Sequence, residues 1–223
     1  SQVANNNGNL VGRMQGLSQS RLPLCITLPS GSSFYVDGGA HDFGRPVENL
    51  SMDRFTGVPE MKALFYGVFT RYIQQHGPIQ APVCITCGLP LDTLSVDNAR
   101  TTVDQIQRWM KSEHVWTVNG HDYQMVVKEV GATSQPAGAL FDYVIDQEGV
   151  IIPSRRNAFV QEVGIVSIGM NTIELLVVRE KSPVQRFTTA STSGVRRLLE
   201  LTNQQRNYSL GELDLMLRSN RLD

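Results

Sequence analysis

The run VWTVNGHDYQMVV at 115–127 constrains the fold more than any other stretch of the chain. Two alternating apolar–polar segments flank Asn119-Gly120, and Asn-Gly is the pair that a two-residue hairpin turn with left-handed backbone demands. The spacing predicts a strand on each side, the second running to about Val130. A chain with this hairpin must build a sheet around it, because an isolated two-stranded hairpin is marginal in water.

The material for that sheet lies upstream. LPLCITL (22–28) and SFYVDGG (33–39) predict a second hairpin about Pro29-Ser30-Gly31-Ser32, and VCITCGLPL (83–91) reads as a short strand buried on both faces. Between them, Met61, Leu64, Phe65, Val68, Phe69, Tyr72 and Ile73 recur at helical spacing on one stripe, and Gly77-Pro78 ends the pattern. A weaker helix over 98–111 carries Val103, Ile106 and Met110, and another starts at Pro136 and runs ALFDYVI. The last third repeats the logic. VGIVSIG and TIELLVV meet at Gly169-Met170-Asn171, VQRFTTA follows as a third strand, Gly194 opens a helix with Val195, Leu198 and Leu199, and Ser209-x-x-Glu212 forms a capping box for a last one.

Strands and hairpins precede a helix twice over, which gives an α/β protein with mixed sheets flanked by helices. We expect a flexible arm at 1–20, rich in Asn, Gln, Gly and Ser, a first portion at 21–147, a connection at 148–162 where Gly149, Pro153, Arg155, Arg156 and Glu162 break the pattern, and a second portion at 163–223. The length of 223 residues accommodates such a pair of units without staples. A net charge of -1 argues against a broad nucleic-acid or anionic-membrane footprint, and no apolar run approaches the ~20 residues of a membrane span. Three cysteines do not make a disulfide framework and fit a cytoplasmic setting.

Most candidate chemistry reduces to structure. Cys84 and Cys87 are three apart on a predicted strand, so their sulfurs face opposite sides and cannot share a metal; they read as small buried hydrophobes, and no metal site is expected. His41 and His121 read as solvated turn histidines, and Arg155-Arg156 and Arg196-Arg197 as solvated faces. Neither a Walker loop nor a nucleophile elbow is present. One place differs. In VGIVSIGMNTIELLVV the turn places Gly169, Asn171 and Thr172 between two apolar strands, where backbone N–H groups and a hydroxyl could meet an anion.

That string resembles the second phosphate-binding hairpin of actin-like ATPases, a strand ending Asp-x-Gly, a turn, then Thr-Asp or Thr-Glu and another strand; Gly169, Thr172 and Glu174 lie on the pattern. Around it, SQVANN, SFYVDGGAHDFGRP, PEMKALFYGVF, CGLPLD and SQPAGALFDYVID resemble, in order, segments of the ParM-type plasmid-segregation branch, so that the likeness covers nearly the whole chain. The resemblance implies an actin-like, ribonuclease H-like two-lobed fold. It also implies ATP or GTP with magnesium in the interlobe cleft, filament formation by self-association, and a DNA-binding adaptor protein as partner. Gly169, Asn171 and Thr172 would face the β/γ-phosphates, Gln135 would orient the attacking water, and Gly194 would lie near the nucleoside.

Two departures from the family follow. Ser167 stands where the family carries the aspartate that holds metal-bound waters, and a hydroxyl has no charge with which to do so. The first phosphate hairpin and the later Gly-Gly adenosine segment are not in the sequence, so we expect an internal fragment of a longer protein. Three functions follow in order of expectation: a filament-forming nucleotidase in plasmid or DNA segregation, an actin-fold scaffold deficient in hydrolysis, and a small-molecule kinase or phosphatase of the same superfold.

Overall fold

The computed structural model describes residues 2–6, 22–47, 51–94, 99–203, 208 and 210–219. In chain order the strands and helices are β1 (Val3–Asn5), β2 (Leu24–Thr27), β3 (Ser33–Val36), α1 (Ala40–Phe43), β4 (Arg45–Pro46), α2 (Pro59–His76), β5 (Val83–Leu89), α3 (Ala99–Met110), β6 (Glu113–Val118), β7 (His121–Ser134), α4 (Gln135–Val144), β8 (Val163–Ile168), β9 (Ile173–Arg179), β10 (Ser182–Pro183), β11 (Thr189–Ser191), α5 (Val195–Thr202) and α6 (Leu210–Arg218). Two compact units result. One comprises residues 1–86 and 100–131, the other 87–99 and 132–223.

The first unit is built on a seven-stranded sheet in the order β4-β1-β3-β2-β6-β7-β5, whose last two members end in the second unit. The β6–β7 hairpin forms as its sequence requires, with Asn119 at φ 51° and Gly120 at φ 85° and Val118 opposite His121. The predicted hairpin at 22–39 is β2–β3, Leu24 pairing with Val36. Residues 2–6, expected within a flexible arm, instead hold β1: buried Val3 and Ala4 pair with Val36 and Tyr35, and burial of those two side chains is what orders the segment. The rest of that expected arm, residue 1 and residues 7–20, lies outside the described residues.

Helix α2 starts at Pro59 and, as expected, ends at Gly77, but it buries a different face. Ala63, Tyr66, Gly67 and Thr70 are buried, whereas Val68 and Tyr72 of the apolar stripe are 62% and 51% exposed. The small residues decide this. A Cβ built on Gly67 would stand 2.7 Å from Val36 Cγ1 and 3.4 Å from Ile26 Cδ1, so the glycine lets the helix lie directly on β2 and β3. Tyr66 then stacks on Trp116 with ring centroids 4.8 Å apart, and the Trp116 indole N–H donates to Thr70 Oγ1 at 2.9 Å. Strand β5 is not buried on both faces as expected. Its residues alternate between half-buried and exposed along most of its length, and Cys84 is exposed while Cys87 is half-buried.

The second unit carries a four-stranded antiparallel sheet in which β9 pairs with β8, β10 and β11. Part of the expected third strand, Gln185–Phe187, is a 3-10 turn, and only Thr189–Ser191 pairs with β9. Helix α4 belongs here and not to the first portion, and the chain does not divide at 148–162. Leu140 and Val144 of α4 cluster with Ile165, Leu176 and Val178, so the apolar face of α4 fixes its unit whatever the break in pattern that follows it. Gly194 caps α5 as expected; Ser209 of the predicted capping box lies outside the described residues.

Candidate functional site

The β8–β9 hairpin sets the site. Its register places Ser167 opposite Glu174 and Ile168 opposite Ile173, so the hydroxyl and the carboxylate share one face. Gly169 N–H donates to Thr172 O at 2.8 Å and closes the turn through Met170 and Asn171. Thr172 is buried, and Met170 is 40% exposed.

The start of α5 docks on that turn. Gly194 N–H donates to Asn171 O (3.1 Å), Val195 N–H to Gly169 O (3.0 Å) and Arg196 N–H to Met170 O (2.8 Å). Three of the amides that a helix N-terminus leaves without intrahelical partners are thereby satisfied by three consecutive carbonyls. Gly194 permits it. A Cβ there would come within 2.6 Å of Asn171 C and Gly169 O and 2.7 Å of Thr172 N, all backbone atoms. The glycine that the resemblance would place near a nucleoside is thus required by the packing of the turn. With the carbonyls turned toward α5, the amides of Met170 and Asn171 donate to no partner among the described residues. They are the donors the turn has to offer.

Glu174 is 1% exposed, and its Oε1 accepts the Leu91 N–H at 2.5 Å. Leu91 opens the 3-10 turn Leu91–Leu94, which follows the strand end at Leu89. Burial of a carboxylate is costly unless it is hydrogen-bonded, and this bond ties β9 to that turn. Arg196 and Arg197 both reach Glu200 within their own helix, at 2.7 and 3.7 Å. Gln135 is the first residue of α4 and is exposed. Its Cα lies 3.4 Å from the position a Cβ on Gly88 would occupy, so the end of β5 and the start of α4 are in contact.

Ser167, Gly169, Asn171, Thr172, Glu174 and Gly194 are therefore gathered into one hairpin and helix start, with Gln135 on a neighbouring helix of the same unit. Sequence reasoning missed the Leu91 amide, 83 residues from its acceptor. The one signal was a glutamate inside the apolar run TIELLVV, where a carboxylate needs a specific donor. The turn fits an anion: two amides are available, and Gly169 carries no side chain to obstruct them. It does not fit a divalent ion equally well, since Ser167 is neutral and the Glu174 carboxylate is engaged. Among the described residues no cluster of three His, Cys, Asp or Glu side chains could hold a metal.

No protein-family model matches the sequence, and no curated protein matches it. Solved structures do match. The crystal structure of apo psk41 ParM superimposes with a TM-score of 0.66 at 14% identity, covering 100% of this chain and 67% of that one. AlfA from a B. subtilis plasmid, solved as a filament, matches at 0.57 and 14% over 85% of this chain and 64% of its own, and a second AlfA filament structure is bound to AMPPNP. The archaeal actin homolog Ta0583 matches at 0.62 and 14% over 98% of this chain and 63% of its own, and has also been solved in complex with ADP. The chain thus spans about two thirds of the length of these structures or slightly less. Nearly all of it follows their path at identities that carry the fold alone: this chain has the actin-like fold of the prokaryotic ParM-type proteins.

Proposed function

We propose that this chain is the nucleotide-binding portion of an actin-like protein that assembles into filaments, acts in plasmid or DNA segregation through a DNA-binding adaptor, and works in the cytoplasm. The observation that carries the reading is the turn at Gly169–Thr172, whose carbonyls are taken up by α5 and whose Met170 and Asn171 amides remain as donors. The β/γ-phosphates of ATP or GTP sit against those amides and the Thr172 hydroxyl, with Gly169 permitting close approach. Gln135 orients the attacking water. Glu174 acts through Leu91, holding the 3-10 turn at the end of β5 beside the hairpin. AlfA's filament and the nucleotide complexes of AlfA and Ta0583 support assembly and nucleotide binding in proteins of this fold.

Ser167 favours a second reading, assembly without hydrolysis. With a hydroxyl opposite the engaged Glu174 carboxylate, the hairpin supplies no free anion to hold magnesium-bound waters, so hydrolysis is slow or lost. Sedimentation and phosphate release, followed together on the full-length protein with ATP or GTP and magnesium, separate the readings. Nucleotide-dependent pelleting with release supports the first, and pelleting without release the second. Release that needs an added acceptor, with no pelleting, would mark a small-molecule kinase or phosphatase and overturn both.

A further inference from the structure

The second unit carries a half-open cavity of about 590 Å³ lined by residues distinct from those of the hairpin turn. Its inner wall is the unit's own core: Leu140 of α4 with Leu176 and Val178 of β9. Phe141 and Phe159 flank it with ring centroids 6.0 Å apart, and Phe141 is 46% exposed. Ligand sites commonly have this size, roughly 300–1,000 Å³, and this character, apolar walls with a few polar groups that fix orientation.

Two cations complete the lining, Arg156 and Lys181. Among the described residues neither has a carboxylate partner. Their neighbours behave differently: Arg155 donates to Tyr143 O at 3.1 Å and stacks over the Tyr143 ring, and Arg179 pairs with Glu162. Lys181 also sits in a backbone conformation that a lysine adopts at some cost. Glu180 and Lys181 have φ 50° and 64° in the two-residue turn joining β9 to β10, where Asn-Gly is the favoured pair. The turn thus presents a cation at the cavity in place of the glycine that would relax it.

A half-open apolar cavity with two exposed cations at its lining, neither paired with a carboxylate among the described residues, suits a ligand with an apolar body and one anionic end. A nucleotide, polar along its length and carrying several charges, does not suit such walls. We propose that this cavity binds an acyl carboxylate of medium chain length, its chain against Leu140, Leu176 and Val178 and its carboxylate at Arg156 and Lys181. This site is independent of the phosphate-binding turn.

Calorimetric titration of the full-length protein with hexanoate, octanoate and decanoate, and with 1-octanol as the uncharged control, tests it. The expected result is saturable one-to-one binding that tightens about fourfold per added methylene, the equivalent of ~0.8 kcal/mol each. Octanoate should bind more tightly than 1-octanol. The double variant R156Q/K181Q, altered at exposed positions, should lose about tenfold or more in octanoate affinity while its affinity for 1-octanol and its circular dichroism stay unchanged. Absence of saturable binding, affinity independent of chain length, or a double variant that binds octanoate as the parent does would each overturn the proposal.

Discussion

Replacing Gly194 by alanine sets two physical effects against each other with opposite signs. Gly194 has φ -70° and ψ -168°, a conformation open to any residue. If backbone freedom alone mattered, alanine would stabilise the protein by about 0.4–1 kcal/mol through the unfolded state. The geometry predicts the reverse. The added Cβ would stand 2.6–2.7 Å from three backbone atoms of the turn, none of which can rotate away as a side-chain tip could. Relief requires α5 to retreat, which stretches the bonds from Gly194, Val195 and Arg196 to the turn carbonyls. Overpacking costs about 1–3 kcal/mol, and partial weakening of the three bonds adds the equivalent of about one hydrogen bond, about 0.5–1.5 kcal/mol; less the backbone gain, a net loss of roughly 1–4 kcal/mol is expected. Urea unfolding gives the stability, and amide exchange at residues 194–196 shows whether α5 has moved. Gly138 is the control, because it lies in α4 with nothing within 4 Å of its would-be Cβ, and G138A should stabilise by about 0.5–1 kcal/mol. If G194A were as stable as the parent with its three amides still protected, the account of the turn would be wrong.

Four other substitutions or conditions probe the same structure. Thr70→Val leaves the fully buried Trp116 indole N–H without its acceptor and should cost about 1–3 kcal/mol in urea unfolding. Burial holds the His114 imidazole below its usual value of 6.5, with Lys62 adding to the effect and the hydrogen bond to Met110 O opposing it. The unfolded chain therefore takes up this proton first, and the His114 contribution is complete above about pH 6.5 and is lost as pH falls through the lowered folded value. Unfolding free energies measured between pH 8 and 5 should decline below 6.5, and less steeply in His114→Gln. Glu174→Ala strands the Leu91 N–H and should cost about 1–3 kcal/mol, whereas Glu174→Gln keeps an oxygen acceptor and should cost less than half as much. Ser167→Asp puts a second carboxylate directly across from Glu174 and should lower the thermal midpoint in chelator; magnesium and nucleotide should restore it and raise basal phosphate release. Equal midpoints with and without magnesium and nucleotide, and unchanged release, would show that position 167 does not face the metal.

How much of this was legible follows from how local each determinant is. Asn119-Gly120 needs only its own backbone, and so the β6–β7 hairpin could be read outright. The C-terminal end of α2 was legible for the same reason, through Gly77. Its buried face was not. Hydrophobic periodicity favours Leu64, Phe65 and Val68, but the sheet selects Ala63, Gly67 and Thr70, which allow close approach and satisfy Trp116. The assignment of α4 failed similarly, because its unit is decided by Ile165, Leu176 and Val178, residues that come after the apparent break in pattern. At the candidate site, the pattern Gly-x-Asn-Thr-x-Glu could be found by inspection. The partners of Glu174 and Gly194 could not, since each is set by a backbone atom far along the chain, which leaves no mark on its residue type.

On the proposed reading, the hairpin and α5 together assign anion binding to the turn and not to the helix. A helix start usually attracts anions because its first amides are unpaired and its dipole is positive there. Here those amides already face Gly169, Met170 and Asn171 carbonyls, so the helix start is satisfied by protein. The same contacts take up the turn's carbonyls, while the Met170 and Asn171 amides donate to no partner among the described residues. The helix thus polarises the turn without touching a ligand, and a glycine at 194 is the condition for it. Ser167 is then the more informative departure. On the proposed reading, the part of the hairpin that would face phosphate depends on backbone, where sequence can vary freely, whereas the part that would face a metal depends on one side chain, Ser167. If the proposed reading holds, binding and hydrolysis are separable at this site, and nucleotide affinity should survive substitutions at 167 that alter turnover.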